Sequence, residues 1–415
     1  MTLRHLIEYF KINKVSNKLV YILGIMLLFW AIFDGIISYI TPIVIINNGI
    51  SETLMGIIIG TSSVAGALFD FIACRIFKNH FYKRLFLLMF ALCLVYPLIL
   101  FKANSFVIYL IAMAIWGIYY DLKNIAIFNF VGRFTKRSEH SDSFGLLEVF
   151  LSIGYLIAPI LIGFVIAESF DWKPFALAWI FIGISLIFYL VLISLDKNDL
   201  SQSKSAENKK QRNIWSEIRV WSDIGKLALP VLLLTMFLNI IDSFFWTIGP
   251  LFAESLSKVH QFAGFFMTAF TLPALIVGWY VGKFTRKFGK KNTAFTSLLI
   301  GSIFLLFILF ISNPIWIIID IFVASIFFSL AWPAVNGAYA DYISETVKFE
   351  NEITGLEDFY TNIGYIIGPI LAGFIAERIG YSGAFFFLGT FGIVLSLLLL
   401  ALTPKSITLN KNVNS

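Results

Sequence analysis

Long apolar runs constrain this chain more than any other feature of its sequence. The run LVYILGIMLLFWAIFDGIISYITPIVII extends from Leu19 to Ile46 and contains one charged residue. About 20 apolar residues suffice to cross a bilayer as a helix, and in lipid every backbone polar group needs an internal partner. Only 13% of the 415 residues are charged, far fewer than in a soluble chain of this length. The sequence therefore predicts an all-α polytopic membrane protein.

Twelve such runs predict twelve transmembrane helices. Their expected bounds are 19–46, 53–77, 84–101, 105–131, 144–167, 175–195, 228–252, 261–282, 293–312, 315–342, 353–377 and 381–403. The two cysteines, Cys74 and Cys93, lie in or beside spans and indicate no disulfide framework. The four histidines are far apart in tails and loops, so neither a metal site nor a cofactor is expected.

The net charge of +6 follows the predicted topology. With the N-terminus inside, the side opposite the cytoplasm carries only Lys102, Lys173, Lys258 and Arg378, and Lys123 lies inside a span. Positive residues concentrate on the cytoplasmic side, so both termini are expected there and no nucleic-acid partner is expected. The abundance of Lys, Asn and Ile favours a bacterial inner membrane, and a monomer is expected.

Two phrases occur twice along the chain. GYLIAPILIGF begins at Gly154 and GYIIGPILAGF at Gly364, whereas DGIISYITP begins at Asp34 and DSFFWTIGP at Asp242. The offsets are nearly equal, so one alignment serves both pairs. The sequence predicts two repeated six-helix halves related by an axis along the membrane normal.

A polar stretch rich in Ser, Asn and Lys divides these halves at residues 196–213. The predicted organisation is an N-terminal six-helix bundle (1–195), a cytoplasmic linker (196–227) and a C-terminal six-helix bundle (228–415). The segment from Ile214 that closes the linker is expected to be a helix at the membrane surface.

Twelve spans in two repeated halves resemble the major facilitator superfamily of transporters. Its fifth-span antiporter motif is matched by Gly145, Gly154, Pro159 and Gly163, and again by Gly355, Gly364, Gly368, Pro369 and Gly373. Ala158, Ile162 and Ala372 depart from it. The resemblance implies an exporter that exchanges its cargo for protons. From the residues alone, small side chains allow close helix packing and proline favours a bend, so the motif serves either gating or plain packing.

A second motif of this superfamily forms a cytoplasmic latch loop. The segment GKFTRKFGKK, with Gly282, Gly289 and Lys290, is similar to it, but Arg286 stands where the family has aspartate. In the first half Gly66 and Asp70 remain, without the following Arg and Gly. The resemblance implies a latch in each half.

Ionisable residues inside spans indicate function, because they are costly in lipid. Asp34 and Asp242 occupy equivalent places and are expected to line a central cavity beside Trp30 and Trp246. In span four Asp121 and Lys123 point in opposite directions. Lys123 is expected to pair with a carboxylate, either Glu148 or Asp34, as a coupling pair or a structural one.

Further polar residues complete the predicted site. Asn124, Asn336 and Asn362 are expected at the cavity, and Glu148 and its equivalent Asp358 near a cytoplasmic gate. These residues favour proton-coupled export of an amphipathic small molecule, for which a cationic group is one option. A proton-coupled importer or a facilitator of sugars or organic ions is the alternative, and a non-transporting receptor or scaffold a remote one. No nucleophile–base constellation lies at membrane depth, so an enzyme is not expected.

Overall fold

The computed structural model describes residues 18–76, 82–135, 140–166, 171–196, 214–277, 281–345 and 350–403. These residues form twelve α-helices and two short 3₁₀ turns, Gln261–Phe265 and Ile308–Phe310. The helices are α1 Lys18–Asn47, α2 Glu52–Ile76, α3 Tyr82–Lys102, α4 Phe106–Phe134, α5 His140–Ile166, α6 Lys173–Leu195, α7 Ile214–Ser257, α8 Phe266–Val277, α9 Val281–Phe288, α10 Lys290–Phe307, α11 Pro314–Glu345 and α12 Glu350–Leu402.

In the described residues, every predicted span overlaps at least one of these helices. Ten helices in the described part of the chain are long and apolar enough to cross a membrane, and α8 is a shorter apolar helix. The last two spans form the single element α12, which is interrupted at Gly380. Its φ of +75° is a conformation that glycine adopts without strain, so two successive helices meet at that residue. The all-α polytopic fold is confirmed.

The predicted linker is partly helical. Residues 197–213 lie outside the described residues, but the helix that begins at Ile214 continues without a break into the seventh span as α7. At the other end, Asp196 accepts a hydrogen bond of 2.6 Å from the Tyr82 hydroxyl and pairs with Lys83 at 2.8 Å. The first predicted linker residue is therefore anchored to α3.

The chain divides by its internal contacts into two compact units. The first unit contains residues 1–40 and 65–204, and the second contains residues 41–64 and 205–415. Residues 41–64 thus pack with the second unit, although the predicted division at the linker places them in the first half. The two six-helix halves remain a prediction.

Residues 52–60 of α2 pack closely on α12 within the second unit. The Thr53 amide donates to the Glu377 carboxylate at 2.8 Å, and the Tyr381 hydroxyl donates to the Glu52 carboxylate at 2.7 Å. The backbone of Pro369 approaches Gly56 so closely that a Cβ at Gly56 would overlap it. Glycine here allows two helix backbones to touch.

Candidate functional site

Asp34 of α1 is enclosed by hydrogen-bond donors from two other helices of the first unit. Its Oδ1 accepts from the Tyr119 hydroxyl at 2.7 Å and from the Trp116 indole at 3.0 Å. Its Oδ2 accepts from the Tyr155 hydroxyl at 2.8 Å. The side chain is buried. A carboxylate at membrane depth is costly unless hydrogen-bond donors satisfy it. Helices α4 and α5 supply these donors to Asp34.

Lys123 of α4 lies in the same region, with its ammonium over two aromatic rings. Its Nζ is 3.8 Å from the centroid of Tyr120 and 4.5 Å from that of Trp30. Lys123 is 3% exposed and Trp30 is fully buried. Aromatic faces attract a desolvated cation. The predicted pairing with Glu148 or Asp34 is not among the ion pairs between described residues.

Asp242 of α7 repeats this arrangement in the second unit with fewer donors. The Tyr365 hydroxyl of α12 donates to its Oδ2 at 2.7 Å. Tyr155 and Tyr365 are the second letters of the two copies of the GY phrase. Each copy therefore places a tyrosine on the aspartate that begins the other repeated phrase. Asp242 is half-buried and Asp34 is buried.

The glycine before each tyrosine allows this contact. A Cβ on Gly154 would lie 2.6 Å from the Leu28 carbonyl oxygen and 2.6 Å from the Ala31 Cβ. A Cβ on Gly364 would lie 2.6 Å from the Met236 carbonyl oxygen. In both units the contacted carbonyl is six positions before the aspartate. The same helix crossing is thus built twice, which supports the packing interpretation of the phrase.

One turn further along, small residues face each other at both crossings. Ala158 of α5 lies against Gly35 of α1, and Gly368 of α12 lies against Ser243 of α7. The departure of Ala158 from the family motif is therefore matched by a glycine on the partner helix. Close approach between helix backbones is the main source of packing energy in lipid.

The remaining motif residues differ between the copies. At Gly145 and Gly163 an added Cβ would meet nothing within 4 Å. At Gly355 it would meet the Trp221 ring at 2.8 Å, and at Gly373 it would overlap the backbone of Glu52. Pro159 lies inside α5, and Pro369 lies inside α12 before its interruption at Gly380. The second copy is thus more tightly packed, and its gating role remains a prediction.

The other predicted site residues are placed more peripherally. Asp121 lies against Gly66 of α2, and the Asn362 amide donates to the Asp358 carbonyl oxygen of its own helix at 3.0 Å. Trp246 is the exception, because it is half-buried and its indole hydrogen-bonds to Asp242. Asn124 and Asn362 are half-buried, whereas Asn336, Glu148 and Asp358 are exposed. The structure gathers Asp34, Lys123 and Trp30 in one unit and keeps Asp242 in the other.

The second latch loop is fixed by a charge pair and a glycine turn. The Lys290 ammonium lies 2.6 Å from the Asp341 carboxylate and donates to the Gly337 carbonyl oxygen at 2.8 Å. Gly289 has a φ of +80° and Arg286 is exposed. Asp70 is half-buried, and Gly282 lies in α9.

Sequence reasoning missed the donors around the aspartates. Trp116, Tyr119, Tyr155 and Tyr365 were not predicted as site residues. The signal was available for two of them, because GY is identical in both copies of the phrase.

Removal of the tyrosine hydroxyl tests each tyrosine–aspartate hydrogen bond with little change in shape. We expect Tyr155→Phe and Tyr365→Phe to fold, because phenylalanine keeps the ring. Each substitution removes a hydrogen bond to a carboxylate, worth about 1.5–3 kcal/mol, and we expect the pH profile of transport to shift. Tyr360→Phe on α12 is the matched control. Initial rates of substrate-driven proton flux over a pH series measure the shift, and unchanged profiles in both variants would contradict this role.

A family model described as Major Facilitator Superfamily matches residues 22–345 and, a second time, residues 231–415. The quinolone resistance protein NorA of Staphylococcus aureus (strain MSSA476) is 22% identical over 364 residues, which cover 86% of this chain and 89% of NorA. The MFS-type transporter SLC18B1 of Mus musculus is 24% identical over 257 residues, or 58% of this chain and 53% of that protein.

Solved transporter structures share the fold. The nucleoside transporter NupG aligns with a TM-score of 0.72 at 13% identity over 94% of this chain and 100% of that chain. A POT family transporter in complex with a thioalcohol conjugated peptide aligns with a TM-score of 0.70 at 16% identity over 93% and 96%. These identities support the fold alone. The chain is a membrane transporter rather than an enzyme, and it belongs to the major facilitator superfamily.

Proposed function

We propose that this protein exports an amphipathic small molecule in exchange for protons, by alternating access, from a cytoplasmic membrane with both termini inside. The observation that carries the proposal is the pair of buried or half-buried aspartates, each held by the tyrosine of a repeated phrase. Similarity to a protein named for quinolone resistance over 86% of this chain supports export of such cargo.

The two tyrosine–aspartate pairs suit proton exchange chemically. A tyrosine hydroxyl can donate to a carboxylate and accept from a carboxylic acid. Each pair can therefore persist when its aspartate gains or loses a proton, while the charge that faces the cargo changes. Cargo and proton would then compete for the same region, as an exchanger requires.

The proposal is tested by proton flux in inside-out vesicles with an acid interior. Vesicles containing the protein are exposed to a panel of lipophilic cations, anions and neutral amphiphiles while an interior dye reports pH. We expect at least one compound to collapse the gradient only when the protein is present. If no compound does so, the exchange mechanism loses its support.

The alternative of an importer or facilitator is favoured by one observation, the buried cation Lys123, which suits an organic anion. Counterflow separates the two mechanisms. A facilitator exchanges labelled for unlabelled cargo at the same rate with and without a proton gradient. An exporter drives cargo against its concentration in the direction opposite to proton flow, and a proton-coupled importer drives it in the same direction.

A further inference from the structure

The ammonium of Lys123 lacks an oxygen partner although the side chain is buried. None of the hydrogen bonds and ion pairs between described residues involves Lys123. Its ammonium lies over the Trp30 and Tyr120 rings, and the carboxylates of Asp34, Glu148 and Asp121 act on it only from beyond ion-pair distance. An ammonium has three N–H donors, and ring faces supply attraction but no oxygen acceptor. Among its described neighbours this cation therefore has unused hydrogen-bonding capacity.

Asp34 is the carboxylate that acts most strongly on Lys123, but its oxygens are engaged by other donors. The carboxylate of Asp34 already accepts three hydrogen bonds, on both of its oxygens. The Trp30 indole N–H is buried and makes no hydrogen bond with a described residue. A ligand with acceptor oxygens would supply hydrogen-bond partners to the Lys123 ammonium.

The aromatic faces are also occupied. Aromatic rings beside an acidic residue are the usual setting for a lipophilic cation, but here Lys123 already lies over both rings. A cationic cargo would have to displace the Lys123 ammonium from these rings or lie beside it, where the two positive charges repel each other. Tyr120 is 37% exposed, so one face of this cluster is accessible to an apolar body.

We propose that the cargo of this transporter carries a carboxylate, which binds the Lys123 ammonium while the apolar part of the cargo packs beside Tyr120. This inference rests on the proposed function, since it names the cargo of the same site. It replaces the option of a cationic cargo with an anionic or zwitterionic one.

Three ligands that differ in one group test the proposal. They are 2-naphthylacetate, 2-naphthylethylamine in its ammonium form and 2-naphthylethanol, titrated by calorimetry into the full chain in lipid nanodiscs. We expect the wild-type protein to bind the carboxylate more tightly than the ammonium. Tighter binding of the ammonium would overturn the proposal without any variant.

Two substitutions at one position sharpen the result. Lys123→Gln keeps the length and polarity of the side chain but removes the charge, and Lys123→Arg keeps the charge. Removing one partner of a buried charge pair weakens binding by at least about thirtyfold. We expect that loss for 2-naphthylacetate in Lys123→Gln only, with the alcohol unaffected. Carboxylate affinity within about twofold of wild type in Lys123→Gln would show that Lys123 has only a structural role.

Binding and flux separate this inference from the proposed function. If the carboxylate binds through Lys123 but no proton flux accompanies its movement, proton exchange fails and the inference stands. If a cation is exported in exchange for protons and Lys123→Gln leaves that export unchanged, the exchange mechanism stands and the inference fails.

Discussion

Replacement of Asp34 by asparagine is expected to abolish gradient-driven transport in a chain that still inserts and folds. The three donors around Asp34 point at two acceptor oxygens. An asparagine offers one oxygen and one amide group, so at least one donor would face another donor. Asparagine also has no proton to exchange. We expect the rate of gradient-driven transport to fall by more than about tenfold. A loss of this size corresponds to a typical coupling free energy between two binding sites.

The matched comparison is Asp242→Asn in the second unit, where two donors, Tyr365 and Trp246, replace the three around Asp34. Both variants are compared with wild type by substrate-driven proton flux, and by thermal unfolding in detergent to verify the fold. Unchanged flux in Asp34→Asn would remove Asp34 from the coupling mechanism. Loss in Asp242→Asn alone would assign coupling to the second unit.

Gly364→Val is expected to be the most destabilising substitution in the repeated phrase. Its Cβ would lie 2.6 Å from the Met236 carbonyl oxygen and 2.7 Å from the Asn239 Cβ. The oxygen belongs to helix backbone, so α7 and α12 would have to separate. Overpacking of this kind costs about 1–3 kcal/mol or more, and separation would also break the Tyr365–Asp242 hydrogen bond.

Gly163→Val provides the control within the first copy of the phrase, because a Cβ there meets nothing within 4 Å. Unfolding temperatures of both variants are compared by fluorescence-detected size exclusion after heating. We expect a clear drop for Gly364→Val and little change for Gly163→Val. Equal unfolding temperatures would contradict the close crossing of α7 and α12.

Most of the fold could be predicted from the sequence, because a bilayer leaves few alternatives to apolar helices. Helix ends were less predictable. The run 228–252 begins at its first strongly apolar residues, whereas α7 begins at Ile214, since a helix can extend beyond the membrane without any change in hydropathy. The packing of residues 41–64 with the second unit was not predicted, because contact between distant segments has no periodic signature.

The site was predictable in its acidic residues but not in its partners. Asp34 and Asp242 are identified by their charge and by the repeat. Tyr155 and Tyr365 stand in a repeated phrase whose glycines and prolines indicate helix packing. A tyrosine in an apolar span is not by itself evidence of a hydrogen bond to a carboxylate. Lys123 was expected to pair with Glu148 or Asp34. Both carboxylates act on it electrostatically, but its ammonium lies over the rings of Trp30 and Tyr120. That α1 and α4 bring Trp30 and Lys123 together is not apparent from sequence spacing.

The central claim is that this transporter exchanges its cargo for protons. It is tested most directly in proteoliposomes that contain only the purified chain, an acid interior and a labelled cargo at equal concentration on both sides. We predict that the cargo accumulates inside until its gradient balances that of the protons, up to about tenfold for each pH unit when one proton exchanges for one uncharged cargo. The accumulation should vanish with a protonophore and in Asp34→Asn. Equal concentrations that persist despite the gradient would contradict the claim and identify a facilitator.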